Sequence, residues 1–198
     1  EKQSLDNSME VDDKLINTIT SIPGVENVVQ RVQTFSLVSK DEKSKGAIIN
    51  GIDINQEGRI TDWNKRIVKG SLYLSHNNEV LLAEGLARYF NAELGDTLIL
   101  FGQGYQGMMA AGKYKIIGIV DLKNPQLNNL AIFMDIKSLN DYISSENIVT
   151  HLVIDKAEYY EEKKIAKEID NVLSNDYEVM TWKQILPEID QTITADSV

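Results

Sequence analysis

The stretch Thr97-Leu-Ile-Leu-Phe-Gly-Gln-Gly-Tyr-Gln-Gly-Met-Met-Ala-Ala-Gly-Lys-Tyr-Lys-Ile-Ile-Gly-Ile-Val120 decides how the middle of this chain folds. Thr97 to Phe101 and Lys113 to Val120 read as two strands, with the glycine-rich segment Gly102 to Gly112 between them. Gly102-Gln-Gly104-Tyr-Gln-Gly107 is a literal G-x-G-x-x-G. A dinucleotide site needs a helix opening at that loop and then a second, parallel strand. Only Met108 to Gly112 separate the motif from the next strand, whereas a parallel return takes about a dozen residues. The segment therefore reads as a hairpin. The same reading accounts for Gly107-Met-Met-Ala-Ala-Gly112-Lys113-Tyr114, one residue short of a P-loop, whose place for a magnesium-binding Ser or Thr is taken by Tyr114. The hairpin carries Tyr105, Gln106, Met108 and Met109, the candidate partner-binding residues, because adaptable Met and aromatic side chains are common on binding surfaces. The competing reading folds both Met residues back onto the core.

Working outward, Val80 to Leu82 reads as a short buried strand, followed by a helix carrying Ala83, Leu86, Ala87 and Phe90 and ending near Gly95. Asp62 to Lys69 reads as a short helix, Leu130 to Met134 as a strand, and Ile136, Leu139, Tyr142 and Ile143 as one more short helix. Toward the start, Val11, Leu15, Ile16, Ile19 and Ile22 recur at helical spacing until Pro23-Gly24 stops the run. Val25 to Val38 then reads as a long strand, Lys40 to Lys45 as a loop and Ala47 to Ile52 as a returning strand. Toward the end come a strand Thr150 to Ile154, a long helix Glu158 to Leu173, a strand Tyr177 to Met180, a capping box Thr181-Trp-Lys-Gln184 and a final helix. The order α-β-β, mixed middle, β-α-β-α predicts an α+β fold. Residues 1–52 and 146–198 form one part of helices on a sheet, and residues 53–145 form an inserted smaller mixed part.

The remaining motifs do not build a reaction centre. Asp53-Ile-Asn55-Gln-Glu57-Gly58 resembles the start of a calcium loop, but Asn64 stands where the bidentate Glu belongs and a strand precedes it, so it reads as a turn held by Asp and Asn side chains. His76 falls in a polar turn and His151 opens a strand. Asp12-Asp13 and Glu161-Glu162 read as solvated helix faces. With no cysteine there are no disulfides, thiolate metal sites or cysteine nucleophiles. The net charge of −10 and the scattered lysines argue against nucleic acid, which needs clustered cations to neutralise phosphate. No apolar run approaches the roughly 20 residues that span a bilayer. The chain opens at Glu1 with no initiating Met, which reads as an excised or processed fragment.

Several stretches in order resemble the extracytoplasmic domain shared by MacB-type, FtsX-type and lipoprotein-releasing ABC transporter permeases. They are Ile22-Pro-Gly-Val25, Ile49-Asn-Gly-Ile-Asp53, Lys69-Gly70, Glu79-Val-Leu-Leu-Ala-Glu-Gly-Leu-Ala87 and Leu94-Gly-Asp-Thr97. Tyr114-Lys-Ile-Ile-Gly-Ile-Val120, Ala131-Ile-Phe-Met134, Val179-Met-Thr-Trp182 and Leu186-Pro-Glu188 complete the series. The resemblance runs from about residue 11 to 196. It implies a porter-like α/β subdomain made by both chain ends with a small mixed subdomain inserted. It also implies a periplasmic domain of a bacterial inner-membrane permease, with no catalytic residues, cofactor or metal of its own. The implied partners are a cytoplasmic ATPase subunit or domain, a second permease copy in a dimer, and a periplasmic adaptor, chaperone or cargo. The implied function is to pass ATP-driven conformational change to a periplasmic substrate or partner, in efflux or lipoprotein release. The helix Glu158 to Leu173 and terminal helices near Glu10 and Glu188 would carry the force. Gly102 to Gly112 falls where lipoprotein-releasing members carry a hook for their chaperone; here it is short and has neither Pro nor Arg. The alternative is a free-standing or membrane-tethered extracytoplasmic binding module.

Overall fold

The computed structural model describes residues 5, 8–9, 11–74, 78–146, 148–173, 177–181 and 184. In chain order the helices are α1 (Asp13–Thr20), α2 (Ile54–Glu57), α3 (Glu84–Phe90), α4 (Pro125–Asn128), α5 (Ile136–Tyr142) and α6 (Glu162–Val172). The strands are β1 (Val25–Lys40), β2 (Lys43–Ile52), β3 (Ile67–Gly70), β4 (Glu79–Ala83), β5 (Thr97–Gln103), β6 (Met109–Val120), β7 (Ala131–Asp135) and β8 (His151–Lys156). This is the mixed α and β fold that the sequence predicts.

The strands follow the order β2-β7-β4-β6-β5-β1, and β1 pairs back onto β2. Six strands thus close into a ring. Its β2–β7 and β4–β6 contacts are parallel and the rest antiparallel. β3 lies beside β6 and β8 beside β1. Val32, Val38, Ile49, Val80, Leu82, Leu98, Leu100, Ile116, Ile132 and Met134 fill the inside. Leu86 and Phe90 of α3 and Leu139 and Tyr142 of α5 complete that cluster. The outer faces of β4, β7 and the end of β2 present Leu81, Ala83, Phe133 and Ile52 to a second cluster under Trp63 and Leu74. Trp63 meets the Phe133 ring edge-on at 5.1 Å.

Between Val32 and Val38, which both point inside, the alternation on β1 is inverted relative to ordinary patterning. Thr34 and Ser36 are buried inside, while Phe35 and Leu37 are 54% and 45% exposed. A buried hydroxyl needs a partner, and Ser36 Oγ finds the Tyr142 hydroxyl at 3.0 Å. The Tyr114 ring stands edge-on to Tyr142 at 6.0 Å. Burial first, then Tyr142 and Asp141, push its hydroxyl up to about 12. Burial also raises Tyr142, so both tyrosines stay neutral at ordinary pH.

The chain divides into two compact units, 1–10 with 29–153 and 11–28 with 154–198. This division differs from the one drawn at 52/53 and 145/146. The difference is the fate of the β1–β2 hairpin. β2 is zipped parallel to β7 from Ile48↔Ala131 to Ile52↔Asp135, and β1 pairs with β5 from Ser36↔Gly102 to Ser39↔Ile99. These long-range pairings hold the hairpin in the larger unit. In the smaller unit Ile22, Ile165 and Ile169 form the core with Val25, Ile154, Leu173 and Val179 around them. Asp12 caps α1, accepting from Leu15 N–H at 2.7 Å, and satisfies a backbone donor that the first helical turn leaves free.

Local departures have local causes. The expected loop at Lys40 to Lys45 is a tight turn at Asp41 and Glu42, with Asp41 at φ 52°, and β2 begins at Lys43. The expected helix Asp62 to Lys69 is one 3-10 turn, Trp63–Lys65, followed by β3. Trp63 is drawn into the second cluster and Ile67 pairs with Val120, so tertiary contacts override local propensity. The expected strand Tyr177 to Met180 is not formed among the described residues. Thr181 N–H and Oγ–H both donate to Gln184 Oε1 at 2.9 Å, so the Gln half of the expected capping box is present. The terminal helix expected near Glu10 is α1, whereas the final helix around Glu188 and His76 lie outside the described residues.

Neighbouring strands give a direct test of which face is inside. Leu100→Ala opens a cavity in the ring and should cost about 2–5 kcal/mol. Leu37→Ala removes an outward side chain and should change stability by no more than about 0.5 kcal/mol. Urea unfolding of the two variants checks the difference; equal losses would place both side chains in the core.

Candidate functional site

The hairpin tip is built by two strands that pair from Thr97↔Lys115 to Gln103↔Met109. Tyr105–Gly107 makes a single turn, with Gln106 at φ 51° and Gly107 at φ 77°. Gly107 supplies the left-handed backbone without a Cβ penalty. Gly104 N–H donates to the Met108 carbonyl at 2.6 Å and Met108 N–H to the Tyr105 carbonyl at 3.1 Å. Tyr105 N–H donates to the Ile143 carbonyl at 2.7 Å, which fastens the tip to the residue that follows α5. The four candidate residues therefore divide. Tyr105 is half-buried against the ring core. Gln106 is exposed, and Met108 and Met109 are 58% and 73% exposed. Of the two readings of the Met pair, the geometry is that of a thioether-bearing tip in solvent.

The nucleotide-like motifs resolve with the hairpin. No helix follows Gly112, and β6 runs through Lys113 and Tyr114. The calcium-like loop is also structural. Asp53 Oδ1 accepts from Asn55 N–H at 2.9 Å and Gln56 N–H at 3.3 Å and caps α2. Glu57 is fully buried, and both of its oxygens accept from the Arg31 guanidinium, Oε2 from Nη2 at 2.7 Å and Oε1 from Nε. The acid that mimics a calcium ligand in sequence is thus consumed by a fork-to-fork ion pair.

Beside Arg31, Gln33 N–H donates to Thr150 Oγ1 at 2.8 Å, leaving the Thr150 proton for His151 Nδ1 at 2.8 Å or the Arg31 carbonyl at 3.3 Å. The shorter contact fits a neutral His151 whose Nδ1 accepts. Burial, and then the Arg31 charge, lower the His151 pKa below its ordinary value. Neither Arg31 nor Glu57 announces its role in sequence, because 26 positions separate them.

The model of the MacB-like periplasmic core domain matches residues 3–171. The chain belongs to that family. It is the periplasmic domain of a MacB-like ABC transporter permease. The fold of this MacB-like domain is similar to the extracellular domain of the noncanonical ABC-type transporter YknZ from Gram-positive bacteria. The TM-score is 0.58 at 15% identity, covering 88% of this chain and 90% of that one. It is also similar to the periplasmic region of MacB from Actinobacillus actinomycetemcomitans. There the TM-score is 0.59 at 16% identity, covering 91% of this chain and 83% of the other. Among curated proteins none matches the sequence. At these identities the structural likeness is one of fold. No helix among the described residues is long and apolar enough to cross a membrane.

The sequence reading missed the apolar side chains beside the tip. Phe35, Leu37, Ile99 and Phe101 are each 45–54% exposed. The available signal was the polar pair Thr34 and Ser36 on the opposite parity of β1, which a simple alternation rule would assign to solvent.

Two outcomes follow for the larger unit. Arg31→Leu strands the buried Glu57 carboxylate and should cost about 3–5 kcal/mol in urea unfolding, most of it recovered when Glu57→Leu is added. For His151, a folded pKa below the unfolded one means that its contribution is intact above about pH 6.5. It is lost as pH falls through the folded pKa. Melting temperature should therefore drop on acidification more for the native protein than for His151→Asn; parallel pH profiles would rule this out.

Proposed function

We propose that this domain is a non-catalytic transmission element. Conformational change driven by ATP at a cytoplasmic ATPase subunit or domain passes through it to a periplasmic substrate or partner, in efflux or lipoprotein release. The permease works as a dimer, so two such domains move against each other. The observation that supports the reading is the closed ring with its fastened tip. Every ring strand is hydrogen-bonded on both edges, and the tip is tied to the end of α5. A body of this kind moves as a unit and delivers displacement to whatever touches Gln106, Met108 and Met109 instead of absorbing it. Rigid-body rotation of packed domains is a common form of such coupling. The runner-up, a tethered binding module, needs the same surface but no nucleotide-dependent movement.

The chain has no cysteine, so one introduced at Glu42, exposed in the turn between β1 and β2, gives a single label per copy. In the reconstituted transporter, with other cysteines removed, the distance between the two labels should shift between nucleotide-free and ATP-trapped states. Superimposable distance distributions, measured by double electron–electron resonance, would leave the binding module.

A further inference from the structure

The outward side chains of β2, β1, β5 and β6 form one grid, fixed by strand register. Gly46, Leu37, Phe101 and Ala111 lie along one row and Ser44, Ser39, Ile99 and Lys113 along the next; beyond them Phe35 pairs with Ile48 on β2, and Gln103 with Met109 on β6. Thr97 and Lys115 continue it on β5 and β6. Phe35, Leu37, Phe101, Ile99 and Met109 are 54%, 45%, 48%, 48% and 73% exposed. A Cβ at Gly46 would collide with the far end of the Phe35 ring, so that ring reaches across to the neighbouring strand. Large apolar side chains spread over four adjacent strands, with hydroxyls buried behind two of them, reverse the usual economy of a sheet face. The charge is reversed too. The chain carries 30 acidic residues against 20 basic ones, yet the grid holds no carboxylate. Its charges are Lys113 and Lys115, both exposed; outside the grid, Glu79 of β4 stands in register with Lys115.

We propose that this wall is a docking surface for an extracytoplasmic protein partner whose contacting surface is apolar and rimmed by carboxylates. Apolar contact fits the central rows, and acidic groups fit the lysine edge. A second copy of the same wall fits poorly, because a two-fold pairing presents the same patch from both sides and so brings no carboxylate of the wall to the lysine edge. The wall is continuous with the hairpin tip through Met109, so the partner that meets Met108 and Met109 also covers Phe101 and Leu37. The inference rests on the reading that the domain acts on something outside the membrane, and it adds the chemistry of that partner.

The test places a photo-crosslinking benzoylphenylalanine at Phe101 in the complete transporter in its native membrane, with Val68, an exposed residue of β3, as the control position. The expected result is an adduct from position 101, absent from position 68, whose crosslinked peptide carries apolar residues beside Asp or Glu. Its yield should fall at least about tenfold in Lys113→Glu/Lys115→Glu. Both lysines are exposed, so an unchanged melting curve shows that this variant folds. A lipid adduct, an adduct to a second copy, an adduct indifferent to charge reversal, or no adduct overturns the proposal. The spin-label distances report movement independently. Loss of movement with a charge-sensitive adduct sinks transmission and keeps the docking wall, and the reverse combination does the opposite.

Discussion

Strand β1 is hydrogen-bonded along both edges, to β2 over its whole outer half and to β5 over Ser36 to Ser39. That double pairing closes the ring, and much else in the larger unit follows from it. A ring of eight strands is just wide enough for side chains to fill, and six leave less room. Small and hydroxyl-bearing residues therefore turn inward where strands crowd, as at Thr34, Ser36, Ala47 and Ala110. The bulky residues at Phe35, Leu37 and Phe101 turn outward. Closure also removes free strand edges, which would otherwise invite unspecific pairing with other chains.

The wall and the tip are consequences of how unevenly the ring is covered. The segments around Trp63 and Leu74 cover β4 and β7 from outside, and α2 is held by the buried Arg31–Glu57 pair. Replacing such a pair with apolar side chains is often neutral for stability, whereas removing one partner strands a buried charge. No described residues give the outward side chains of β1, β5 and the first half of β6 the same cover. An exposed apolar surface costs solubility, and chains that keep one usually have an occupant for it.

The relation to the MacB-like family is strongest at the level of architecture. A common fold hosts different work on different members, and the work is decided by surface chemistry. The tip here offers two thioethers and an amide, and the wall offers aromatic and aliphatic side chains with a lysine border. Those are contact groups, suited to shape matching and desolvation.

Elements with a local cause were legible in the residues alone. Pro23-Gly24 ends α1 because proline cannot extend a helix and Gly24 takes φ 95°. The short spacing between Phe101 and Lys113 forces an antiparallel return. Helical periodicity marks α3, α5 and α6, and ordered motifs across the chain mark the family. Tertiary structure alone decided the faces. Alternation gives a period of two, but which parity lies inside depends on the strand that pairs from far away, and for β1 that strand is β5, some 60 positions on. The same holds for Glu57, a loop acid in sequence and a buried ion-pair partner in space. It holds for Ile67, whose strand exists because β6 is beside it. Hydrogen-bond register and burial are properties of pairs of distant residues, so a reading of one residue and its neighbours cannot contain them.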